Sequence, residues 1–123
     1  WLVPKLNWTK GTEFVARDGI TRPTMIYTTA DWCVPCQEMK VTTFQNEAVR
    51  RAAVGIELVK IDMTDAPPQP VADWTARYDL KGIPTTFFLR TDGSEVEQLR
   101  GEGYLSGNDL ARRMRRFKSR IDG

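Results

Sequence analysis

Short apolar runs that read as strands alternate along this chain with stretches of helical periodicity, and their order predicts an architecture. Residues 23–29 (Pro-Thr-Met-Ile-Tyr-Thr-Thr) are rich in β-branched and aromatic side chains and predict a buried strand. Residues 33–50 predict a helix broken near Gln45-Asn46, with Pro35 in the first turn, where a missing N–H costs nothing. Asn46 is the expected cap of its second piece, residues 47–53. Residues 56–62 (Ile-Glu-Leu-Val-Lys-Ile-Asp) predict a second strand. Strand, helix and strand in this order give a parallel pair with a right-handed crossover.

Pro67, Pro68 and Pro70 make a stiff connection, with Asp65 as an expected cap. Val71, Trp74 and Tyr78 follow at i, i+3 and i+7, the buried face of a further helix. Lys81-Gly82-Ile83-Pro84 breaks the chain, and residues 85–90 predict a third strand. Thr91-Asp92-Gly93-Ser94 carries the Asp-Gly hairpin signal, so residues 95–100 are expected to return antiparallel. From Ser106 to about Lys118 a last helix is expected. Ser106 and Asp109 suit a capping box, and Leu105 with Leu110 a hydrophobic staple. Leu110, Met114, Phe117 and Ile121 form its apolar stripe. Before all of these, residues 11–19 predict a short helix capped by Thr12 and ended by Asp18-Gly19. Residues 1–10, with Trp1, Leu2, Val3, Leu6 and Trp8 interrupted by Pro4, read as an arm or an edge strand. The sum is one domain over residues 1–123: a three-layer α/β fold, a mixed sheet with helices on both faces.

Composition narrows the chemistry. At 123 residues and 41% hydrophobic content, the chain supports one real core. A net charge of +2 gives no case for nucleic acid, and the arginines of the last helix suit a solvated face. No apolar run approaches the roughly 20 residues that span a bilayer. The chain opens at Trp1 without a Met, which reads as a processed form or an excised domain. There is no histidine, which removes Ser-His-Asp and Cys-His catalysis and the commonest metal ligand.

The only two cysteines stand in Asp31-Trp32-Cys33-Val34-Pro35-Cys36, between the first strand and the helix after it. Cys33 falls at a helix N-terminus, where unpaired N–H groups and the helix dipole favour a thiolate. Cys36, one turn later, is within reach of a mixed disulfide formed by Cys33. Cys33 is therefore the candidate attacking thiol and Cys36 the resolving thiol, with Trp32 as a partial cover and apolar contact surface. Blander readings are weaker. A structural disulfide across so short a loop stabilises little. Structural zinc needs about four ligands and finds two thiolates here. Inert buried thiols fit poorly beside Trp32 and Pro35 at a helix start.

With Ala30-Asp31-Trp32-Cys33-Val34-Pro35-Cys36 after a buried strand, and Gly82-Ile83-Pro84-Thr85 before the next, the chain resembles the thioredoxin superfamily. Thr29 to Val34, Thr43-Phe44 and the Gly101-to-Tyr104 exit resemble more narrowly the C-terminal thioredoxin-like domain of the DsbD family of transmembrane thiol–disulfide interchange proteins. The resemblance covers most of residues 12–118. It implies a thioredoxin-like fold, a cis Pro84 beside Cys33, and an exposed Ile83 backbone for an extended partner segment. It makes Trp32, Pro35, Asp31, Ile83 and Pro84 supporting residues, with no cofactor or metal beyond the Cys33–Cys36 disulfide. It implies a monomeric, periplasmic disulfide reductase domain that takes electrons from a membrane-embedded partner and passes them to extracytoplasmic thiol proteins.

The chain departs from that pattern at two positions. Tyr27 stands where the branch usually has a buried acid six residues before the first cysteine, and Lys40 where a glutamate usually follows the second. A cation there favours thiolate, so a more acidic attacking thiol is expected. Asp31, Glu38 and Asp62 are the acids that could substitute, and Lys60 reads as a strand-end surface residue. Two other readings remain open: a free-standing reductase serving cytochrome c maturation, and a non-catalytic binding module of the same fold.

Overall fold

Strands with few polar positions must be covered on both faces, and that requirement sets the layers. In a computed structural model, which describes residues 3–122, one five-stranded mixed sheet runs in the order β1-β3-β2-β4-β5. β1 (Trp8–Lys10) and β2 (Thr24–Thr29) flank β3 (Glu57–Asp62), both parallel to it. β4 (Thr85–Leu89) runs antiparallel to β2, and β5 (Gly101–Glu102) antiparallel to β4. This is the three-layer α/β arrangement that the element order predicts, a mixed sheet with helices on both faces.

Side chains alternate between two cores. Met25, Tyr27, Leu58 and Phe88 face the first, which α2 (Val34–Val41), α3 (Glu47–Ala52) and α5 (Gly107–Asp122) close with Met39, Val49, Leu110, Met114 and Phe117. Ile26, Val59, Phe87 and Leu89 face the second, which α1 (Gly11–Ala16) and α4 (Gln69–Thr75) close with Phe14 and Val71. Phe87, Phe88 and Phe117 are fully buried, each contributing on the order of 2–3 kcal/mol of transfer free energy. Trp74 and Tyr78 pack against the second core, as their spacing predicts.

Local signals behave as their chemistry dictates, with four corrections. Asn46 caps α3 by accepting the Val49 N–H at 3.2 Å, and Ser106 accepts the Asp109 N–H at 3.2 Å. Gly107 admits this junction, because a Cβ there would collide with the Asn46 side chain. Thr12 does not cap α1: β1 runs directly into the helix, Lys10 holds the cap position, and Thr12 lies inside. Asp65 does not cap α4 either, since the proline connection carries the chain on to Pro68 before the helix starts. Tyr78 closes a 3₁₀ turn, Ala76–Tyr78, that follows α4. Residues 95–100 do not form a continuous return strand. One bridge, Leu89 to Glu95, is followed by a 3₁₀ turn at Glu97–Leu99, and pairing resumes only at β5. Val96 and Leu99 are both buried, and a spacing of three puts them on one side only if the chain coils. The Arg100 guanidinium locks that turn through a bidentate pair with Glu95 and bonds to the Tyr78 and Asp79 carbonyls. In the N-terminal arm, residues 8–10 form the edge strand, while Trp1 and Leu2 lie outside the described residues.

Candidate active site

The end of β2, the start of α2 and the entry to β4 meet at one point, where the two cysteines lie. Cys33 and Cys36 form a disulfide with Cα atoms 5.2 Å apart. Cys33 is the N-cap of α2, and its Sγ accepts the Cys36 N–H at 3.3 Å. A helix N-terminal amide thus already points at the sulfur that would carry negative charge on reduction. Pro35 lies in the first turn, where it removes no helical hydrogen bond. The Cys33 N–H donates to the Ala30 carbonyl at 3.2 Å, and the Gln37 amide donates to the same oxygen at 3.0 Å, so the loop is tied to the helix.

The ring lies just under the surface. Cys33 is 5% exposed and Cys36 1%. Around Cys33 the surface is apolar: Trp32 is 65% exposed and Val34 68%. Ile83 packs against the cysteine cluster, and the Ile83-Pro84 peptide is cis, as the resemblance implied. The Trp32 indole N–H donates to the Thr64 carbonyl at 3.0 Å, and the Asp31 N–H donates to Thr64 Oγ1 at 2.9 Å. Thr64 in turn donates its N–H and hydroxyl to Asp62 Oδ1, at 2.8 and 2.6 Å, which holds the Asp62 carboxyl below its ordinary range. Thr64 therefore pins the active-site loop to the end of β3. The sequence reading missed it, because nothing in a Met-Thr-Asp stretch announces a contact with a loop more than 30 residues upstream.

Behind the ring a cleft of about 310 Å³ reaches Cys36. Trp8, Tyr27 and Phe44 form one wall, with ring centroids 4.8–5.8 Å apart. Tyr27 is buried, its hydroxyl reaches the Cys36 carbonyl oxygen at 3.4 Å, and burial raises its pKa. Lys5, Lys40, Arg50 and Lys60 supply the cleft's charge, and among the described residues no carboxylate lines it. Lys60 is thus not a strand-end surface residue. It sits within β3, half-buried, with Nζ 4.7 Å from the Trp8 ring centroid. Burial lowers its pKa, Lys40 lowers it further, and Asp62 opposes both. Asp31 and Glu38 are exposed, and Asp62 is engaged by Thr64, so none of the three proposed substitute acids lines the cleft.

Comparison with known proteins agrees with this geometry. Residues 15–118 match the thioredoxin-like domain family. The chain is 31% identical over 98 residues to the thiol:disulfide interchange protein DsbD of Klebsiella pneumoniae, covering 80% of the chain and 16% of that protein. It is 33% identical over 90 residues to the Cronobacter sakazakii protein of the same name, covering 73% and 16%. The chain therefore spans about 16% of the length of these curated relatives. Among solved structures, the reduced C-terminal domain of Neisseria meningitidis DsbD superposes with a TM-score of 0.66 at 25% identity, over 86% of this chain and 90% of that one. A Thermus thermophilus thioredoxin shares the fold, with a TM-score of 0.73 at 21% identity over 96% and 91%. With its cysteine pair capping α2, a cis proline at the mouth of β4 and a family match spanning most of its length, this chain belongs to the thioredoxin-like domain family and is homologous to the C-terminal domain of DsbD.

Proposed function

We propose that this domain is a protein-disulfide reductase working by dithiol–disulfide exchange through Cys33-Val34-Pro35-Cys36. The observation that carries the reading is the Cys33–Cys36 disulfide at the α2 N-terminus, with Cys33 Sγ accepting a helix amide and exposed Trp32 and Val34 around it. In the reduced domain, the Cys33 thiolate attacks one sulfur of a partner disulfide. The partner S–S bond breaks and its other sulfur leaves as a thiolate. The Cys36 thiolate then attacks Cys33 Sγ, the mixed disulfide breaks, and the partner departs with two electrons and both sulfurs reduced. The domain ends oxidised, as the ring in this structure is.

Trp32, Val34 and Ile83 supply the apolar contact for the partner, and the Ile83 backbone beside Pro84 offers an edge for an extended partner segment. Asp31 acts through its backbone, by fixing the loop to Thr64. The likeness to DsbD supports a domain of a periplasmic inner-membrane protein, reduced by a membrane-embedded dithiol and oxidised by extracytoplasmic thiol proteins. The test is a redox titration of the pair in dithiothreitol buffers, followed by turnover with a disulfide-bonded protein. A reversible two-electron transition with catalytic reduction of the substrate is expected. A pair that does not cycle rejects the reading.

A further inference from the structure

Like charges gathered in one recess repel, and a buried N–H without an acceptor costs free energy. The cleft behind the cysteine ring holds both features. Lys5 comes to it from the N-terminal arm, Lys40 from α2, Arg50 from α3 and Lys60 from β3. Among the described residues none of the four enters an ion pair, and no carboxylate lines the cleft. The Lys60 ammonium registers the crowding: burial lowers its pKa, and the neighbouring Lys40 lowers it further. Arg50 is half-buried. Its Nη2 donates to Gln45 Oε1 at 3.0 Å, while its Nε–H is enclosed and, among the described residues, has no acceptor. Beside these cations stands the aromatic wall of Trp8, Tyr27 and Phe44. The volume, about 310 Å³, lies at the small end of the roughly 300–1,000 Å³ of ligand sites. An inorganic oxyanion would answer the cations and leave the wall in water. A carboxylate on a flat apolar body answers both.

We propose that this cleft is a binding site for a small organic carboxylate, its apolar body laid on Trp8 and Phe44 and its charge held by Arg50 and Lys40. The carboxylate accepts from the Arg50 Nε–H, which then has a partner, and relieves the repulsion between Lys40 and Lys60. An occupant sits behind the ring, while Cys33 with exposed Trp32 and Val34 stays open on the other side. Ligand and partner protein therefore do not compete for one surface.

The experiment titrates the oxidised domain with benzoate, acetate and inorganic phosphate at constant ionic strength, following the Trp8 indole N–H by nuclear magnetic resonance. Benzoate is expected to give a saturable shift at a concentration about tenfold below acetate, with phosphate no tighter than acetate. Lys40→Gln and Arg50→Gln are each expected to weaken benzoate about tenfold, the loss of one charge-assisted bond. Lys40 is exposed, so its variant carries the test if Arg50→Gln does not fold. Arg77→Gln, which removes a cation from the 3₁₀ turn after α4, is expected to leave binding unchanged. The proposal is overturned if the benzoate shift does not saturate or if phosphate binds as tightly as benzoate. It is equally overturned if Arg77→Gln weakens binding as much as Lys40→Gln does, since the protein's overall charge would then be responsible. Binding in the oxidised domain needs no thiol exchange, so failure here and failure of the reductase reading are separate results.

Discussion

Cys33 and Cys36 close one small ring, yet the two sides of that ring have little in common. On the Cys33 side the surface is apolar, with exposed Trp32 and Val34 and the Ile83 contact beside the cis peptide. On the Cys36 side lies a recess walled by Trp8, Tyr27 and Phe44 and charged by Lys40 and Lys60. One side offers an exposed apolar surface and the other a half-enclosed, positively charged recess. The difference arises from position: Cys33 caps a helix at the loop, while Cys36 lies one turn inward, over the sheet.

The sharpest way to break this comparison is to exchange the sulfurs' roles. Cys33→Ser is expected to abolish exchange, whereas Cys36→Ala is expected to accumulate a covalent complex with the partner, read on a non-reducing gel. If both variants trap equally, the two sides are equivalent and the comparison fails. A control comes from the far end of β3. There the Glu57 carboxylate is buried, paired at 2.7 Å with Arg17, and accepts from Thr9. Arg17→Ala is expected to cost about 2 kcal/mol in denaturant unfolding, because a buried carboxylate loses its charged donors. Exchange chemistry should not change.

The same pair gives a pH dependence. Hydrogen bonds from Arg17, outweighing burial, hold the Glu57 pKa below its unfolded value. Its contribution is therefore complete above the unfolded carboxylate pKa and is lost as pH falls through the folded one. Acid unfolding midpoints of the parent and of Glu57→Gln should converge in that window, and parallel curves would show that Glu57 is not the group responsible.

Smaller effects sharpen the Cys33 side. Trp32→Ala is expected to slow exchange with a protein disulfide about tenfold, near 1.4 kcal/mol of docking, while leaving exchange with dithiothreitol and the unfolding midpoint unchanged. An equal slowing with dithiothreitol would mean that Trp32 serves the thiol and not the partner. Thr64→Val keeps the shape but loses the hydroxyl bonds to Asp31 and Asp62. It is expected to cost about 1 kcal/mol and to loosen the loop, visible as faster amide exchange at Asp31.

Much of this was legible before any coordinates. Strand–helix–strand order, the Asn46 and Ser106 caps and the helix-capping position of Cys33 all follow from contacts within a few residues, which local sequence encodes. The misreadings share a cause. Thr12 and Asp65 are good caps in isolation, but neighbouring elements set where each helix begins. Residues 95–100 follow an Asp-Gly hairpin signal, yet Val96 and Leu99 answer to one core and Arg100 to two distant carbonyls. Lys60 looked like a surface residue because nothing along the chain reveals that Trp8 will cover it.

The sequence by itself determined the chemistry: two thiols spaced by one helical turn, placed where a strand hands over to a helix, with no histidine to suggest anything else. Only the tertiary structure decided how the two thiols differ. It brought Thr64 under the loop, set Ile83 against the ring, and lined the cleft at Cys36 with cations from four separate segments and, among the described residues, no acid. The physical reason is range. Capping and periodicity act between residues a turn apart, while burial and electrostatic field depend on whatever the fold packs alongside, however distant in the chain.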